Sequence, residues 1–210
     1  MALPMPREVS TLAPLTAALD EATHDDRVAW IRSLNGKEQY HLFDLAKGGP
    51  PVDVSDLHGA EGEVIINHGR NGLALFNRFQ KRSALHDGQL VGYNHNGFPS
   101  LIAPIASRVV GPGHYVFYPS PDVPGEVWID YRRIPTSRHP AFPPLVDNES
   151  GLRQLVFGNM VDILRRVSDH VFIGDSFKNL PRPGPKPPLL TRFASRFLAT
   201  APFVLCQAPR

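Results

Sequence analysis

Three histidines sit beside glycine in short polar stretches of this chain: His68 in NHGRNG, His95 in YNHNG and His114 in GPGHY. Histidine changes charge near neutral pH, so each is able to serve as a general base or a metal ligand. Their spacing matches no zinc pattern, and with Cys206 as the single cysteine no thiolate set can be assembled, so no metal is assigned. The plain alternative is a turn histidine bonded to local backbone. Arg78, Lys81 and Arg82 crowd FNRFQKR, and Arg165-Arg166 stand near Asp162 and Asp169. An arginine turned into an apolar barrel would hold a carboxylate or phosphate by paired hydrogen bonds. The alternative is an ion-pair network with Asp130 and Asp162, or a solvated face.

In GEVWIDYRRIP, extended backbone sets Glu126, Trp128, Asp130 and Arg132 on one side and Val127, Ile129 and Tyr131 on the other. If Asp130 faces inward it needs a partner, since an isolated buried carboxylate is too costly, and arginine is the natural one. Nucleophilic catalysis has thin support. Ser176 in GDSF has no strand-turn-helix elbow around it, Cys206 lies in an apolar run, and GPGHY has proline where a phosphate-cradling loop needs a free amide.

The elements that would position these residues are those of an α+β protein. The chain has 210 residues, 42% hydrophobic and 20% charged, with 22 Pro and 17 Gly, which fits one main domain of many short elements. A net charge of +2 gives no reason to invoke nucleic acid or an anionic membrane. The absence of a signal-like start or an apolar run of spanning length points to a cytoplasmic protein. Residues 1–49 carry helical spacing: Leu12, Leu15 and Leu19; then Val28, Ile31 and Leu34 after Asp25-Asp26; then Leu42, Leu45 and Ala46 after Asn35-Gly36. This reads as a helical hairpin covering one face or end of a sheet. Residues 50–62 read as a linker.

Residues 63–210 read as the β domain. EVIIN, LVGYNH and HVFIGDSF are strands by composition, and the stretch 73–85 is contested between strand and helix. The central pair is a first arm containing Val109-Val110 and Tyr115 to Tyr118 and a second from Val127 to Tyr131, with Gly111-Pro112-Gly113 bending the first. Helical spacing of Met160, Ile163, Leu164 and Val167 predicts a short helix within 152–167, starting after Gly158. PFVLC (202–206) should return beside Val171-Phe172-Ile173, making the proline-rich 180–190 an insertion in a hairpin. The fold class is an antiparallel β-barrel or half-barrel behind N-terminal helices.

NHGRNGLALFNRFQKR, LVGYNHNG, VVGPGHYVFYP, GEVWIDYRRIP, NMVDILRRVSDHVFIGDSFK and FVLC together resemble an uncharacterised bacterial family with H-x-G-R-N, F-x-R-F-x-K-R and G-P-G-Y/H-Y/F stretches. IDYRRIP followed by MVDILRRVSDHVFIGDSF is also similar to the small lipocalin-like barrels of the GXWXG type, although G-x-W-x-G itself is missing. Both likenesses imply a barrel and neither names a ligand or cofactor.

The resulting expectation is a small, largely apolar ligand bound in the barrel cavity, with polar selectors among His68, Arg78, Tyr93, His95, His114 and Asp130. Two other classes stay open: acid/base catalysis in the same cavity by a histidine and Asp130, and a protein-interaction role for RPGPKPP as a polyproline segment.

Overall fold

The computed structural model describes residues 3–72, 77–96, 111–151, 153–178 and 201–209. Three helices come first: α1 (Ala13–Glu21), α2 (His24–Ser33) and α3 (Gly36–Leu45). The starts of α2 and α3 are fixed by side chains that satisfy otherwise unpaired amides, while α1 begins after Leu12 without a side-chain cap. The Thr23 hydroxyl accepts from the Asp26 amide at 3.2 Å, and Asn35 and Glu38 form a reciprocal capping box at 3.1 and 2.9 Å. Leu15, Leu19, Ile31, Leu34 and Leu42 pack on Val171, Ile173, Val204 and Cys206. The helices therefore cover a face of the β domain, as their apolar spacing predicts.

Eight strands follow: β1 (Ile65–Asn71), β2 (Arg78–His86), β3 (Gln89–Asn96), β4 (Gly113–Pro119), β5 (Val127–Asp130), β6 (Met160–Arg166), β7 (Val171–Lys178) and β8 (Pro202–Gln207). Each pairs antiparallel with the next, and β8 pairs with β1, so the sheet closes into an eight-stranded barrel without an edge. Asp87 and Gly88, at φ of 51° and 69°, make the two-residue turn that sets the β2–β3 register. The expected return of PFVLC is present, with Val171 opposite Cys206 and Ile173 opposite Val204. Gly111, at φ 64°, makes the bend before β4. Among the described residues no helix is long and apolar enough to cross a membrane.

One element differs from its prediction. The expected helix within 152–167 is a single turn, α4 (Arg153–Val156), followed by strand β6. Met160, Ile163, Leu164 and Val167 fit a helical face by coincidence. The controlling period is two, with Met160, Asp162 and Leu164 on one face and Val161, Ile163 and Arg165 on the other. Asn159, at φ 50°, turns the chain from α4 into β6.

The same alternation identifies the barrel interior. Phe79, Tyr115, Tyr131, Leu164, Phe172, Phe203 and Leu205 form one core cluster, and their strand partners through the registers face inward with them. Val52 and Leu57, from the segment read as a linker, join this cluster, and the Leu57 carbonyl accepts from the Ser83 hydroxyl at 3.0 Å. That segment packs against the barrel end at which β2 finishes. At the other end Phe157 stacks on Tyr131 with ring centroids 5.4 Å apart.

Candidate functional site

An eight-stranded barrel is just wide enough either to be filled by its own side chains or to hold one small ligand, so the interior contacts decide between the two. A side chain facing a hole wide enough for water would show surface to it. Tyr115, Leu164 and Phe172 are 0% exposed. Among the described residues the barrel's middle is packed, where the sequence led us to expect a cavity.

The polar centre of that packing is Lys81. Its ammonium donates to Asp162 Oδ2 at 2.8 Å, to Asn94 Oδ1 at 3.2 Å and to the Tyr131 hydroxyl. The rings of Tyr115, Tyr131 and Phe203 lie 4.9 to 5.0 Å from Nζ. Asp162 accepts in addition from the Ser176 hydroxyl at 2.7 Å. Burial pulls the Lys81 pKa below its ordinary value while the Asp162 carboxylate pushes it back up. All three N–H donors have acceptors, so the group has no free valence for a ligand; it is a satisfied structural network.

The six residues selected from sequence lie on the opposite face of their strands. On β1, β2 and β3 the registers place His68, Gln80 and His95 in one row across the outer wall. Arg78 and Arg82 flank Gln80 on β2, and Arg70 stands opposite Arg78 on β1. The Gln80 carbonyl oxygen accepts from Arg82 Nε at 3.0 Å and Nη2 at 2.7 Å, which fixes the amide so that its NH₂ remains available. Helix α2 lies along this row and contributes Ile31 and Arg32. Together with His68, Gly69, Arg78, Phe79, Gln80 and His95 they enclose a pocket of about 200 Å³.

No carboxylate is among the described residues lining that pocket, while four of the side chains are basic. The electrostatics follow. Burial first, and then His24, Arg32 and Arg82, hold the His68 pKa below its usual value; burial and Arg82 do the same to His95. The His24 ring stands 5.5 Å from that of His68.

Tyr93, His114 and Asp130 sit elsewhere on the outer wall. Tyr93 packs on Phe142 at 4.9 Å and borders the pocket through Arg82, whose Nη1 lies 3.4 Å from its hydroxyl, and through the His95 ring at 6.4 Å. His114 is buried with Nε2 3.0 Å from the Pro144 carbonyl. Asp130 accepts from Arg132 at 2.8 and 2.9 Å and from the Tyr118 hydroxyl at 2.6 Å. Its expected arginine partner is present, but outside the barrel. No histidine contacts Asp130 in this network, so the pair expected for acid/base work is not assembled.

Sequence reasoning missed Arg32 and Gln80, while the ion-pair network it offered as the alternative reading is present at Asp162, with Lys81 as the cation. The signal for the inward face was available in the glycines: a side chain at Gly69 would strike the Phe79 ring, and one at Gly174 the Phe203 ring. An inward glycine opposite an inward aromatic marks the parity of both strands. Cys206 is buried, with its pKa raised to about 11 by desolvation, and is inert as expected. RPGPKPP and the rest of 180–190 lie outside the described residues. Comparisons with protein-family models, with curated proteins and with solved structures found no match.

Proposed function

We propose that the protein binds a small molecule with an anionic head and an apolar body, in the pocket between α2 and strands β1 to β3. The observation that carries this reading is the convergence of Arg32, Arg78, His68 and His95 on one concavity whose described lining includes no carboxylate. Cations gathered without counter-charge raise the local potential, and an anion relieves it. Ile31 of α2 offers the apolar contact. Three of the residues singled out from sequence, His68, Arg78 and His95, keep a binding role here, on the barrel's wall instead of inside it.

The test is equilibrium binding of phenyl phosphate, benzoate and benzylamine at low ionic strength. The anions bind and the amine does not. Replacing both Arg32→Gln and Arg78→Gln weakens anion binding at least tenfold, with thermal unfolding unchanged because both side chains are exposed. Equal binding of the amine, or full anion affinity in the double variant, would sink the reading.

A further inference from the structure

The same pocket carries a more specific assignment, which rests on the anion-binding reading. We infer that its ligand head is a phosphate-type dianion held between His68 and His95, and that both histidines take up protons as it binds. The reasons are the number of donors and where they stand. His68, Gln80 and His95 are neighbours on three adjacent strands. At the usual strand spacing the two histidines are about 10 Å apart at Cα, with the free Gln80 amide between them. Arg78 borders the row on β2, and Arg32 approaches from α2. A carboxylate has two oxygens, and a single guanidinium satisfies them. Five donor side chains on four elements suit a head with three terminal oxygens and a charge approaching −2.

Proton uptake follows from what faces the rings. His68 meets His24 and Arg32 of α2, Arg82 of β2 and, across the strand pair, the Cys206 thiol of β8. His95 meets Arg82 of β2 and Tyr93 of its own strand. Every charged group among these is cationic, so in the empty pocket the neutral imidazoles are favoured. A dianion between them reverses that balance. Affinity therefore rises as pH falls from 8 toward about 6.5, and levels off where the phosphate itself begins to take a proton, near pH 6.

Calorimetric titration with phenyl phosphate and with benzoate, each at pH 7.0 in two buffers of different ionisation enthalpy, decides the matter. Phenyl phosphate binds at least tenfold more tightly than benzoate, with between one and two protons taken up per ligand. His68→Gln and His95→Gln each reduce that proton count while some affinity remains, and His41→Gln, an exposed histidine on α3, leaves it unchanged. Because a glutamine could disturb folding, histidine ring shifts in the unsubstituted protein supply the second readout: both rings move toward the protonated positions on adding phenyl phosphate. Benzoate bound as tightly as phosphate, or phosphate bound without proton uptake, overturns this inference and leaves anion binding standing. If neither anion binds, both fall together.

Discussion

Lys81 and Asp162 show how a single side chain's parity decides whether it belongs to a site or to a core. FNRFQKR presents three cations, and the one flanked by two others in sequence is the one that turns inward, because it shares a face with Phe79 and Ser83. The chain compensates for that charge with a carboxylate from the far side of the barrel, a phenol and an amide. Removing one partner leaves an uncompensated buried charge, so Lys81→Ala and Asp162→Ala should each cost about 3 to 5 kcal/mol in urea unfolding. Lys81→Met combined with Asp162→Leu should cost much less than the two single changes summed. Additivity would show that the two groups do not interact. Another buried carboxylate, Asp175 on the outer wall, has no cationic hydrogen-bond partner among the described residues, and desolvation lifts its pKa to about 6. Its folded-state pKa is raised above the ordinary 3.8, so the folded chain favours the protonated form. The penalty is absent below pH 4, grows between 4 and 6 and is complete above 6. Discounted for solvent screening it amounts to about 1 to 2 kcal/mol. Asp175→Asn should therefore stabilise the protein at pH 7.5 and have no effect at pH 3.5. A stabilisation independent of pH would reject the cause assigned here.

The strands were legible where β-branched and aromatic residues alternate between turn signals, and the β2–β3 turn was legible because Asp-Gly supplies two left-handed positions. The starts of α2 and α3 were legible for the same kind of reason, since the acidic pair Asp25-Asp26 suits a first turn and Asn35-Gly36 marks a boundary at which Asn35 caps α3. Strand β6 was not, because seven residues of mixed apolar character fit both periods, and only pairing with β5 and β7 separates them. Nor could local pattern say which face of each strand would be enclosed; that is settled when eight strands close and the larger rings find glycine opposite. Phe203 lies against Gly174 in this way across β7 and β8. Gly174→Ala should cost about 2 to 3 kcal/mol by overpacking. Adding Phe203→Leu should restore part of the loss. A neutral Gly174→Ala would mean that the ring is not held against that backbone.

At the scale of the molecule, the barrel is on the proposed reading a packed support whose outer wall takes the ligand. One stretch of that wall, on β7 and β8, is closed off by the helices. On the adjoining strands α2 only brushes past, and the space left between helix and wall collects basic side chains from both. Of the polar residues selected from sequence, His68, Arg78 and His95 line that space, and all six lie outside the barrel, not within it. The most direct measurement is a side-chain NMR titration with phenyl phosphate that follows the imidazoles of His68 and His95 together with the interior signals of Leu164 and Phe172. Shifts at the two imidazoles with the interior signals unmoved are the predicted result; shifts at Leu164 and Phe172 with the imidazoles unmoved would contradict it and return the ligand to the inside of the barrel.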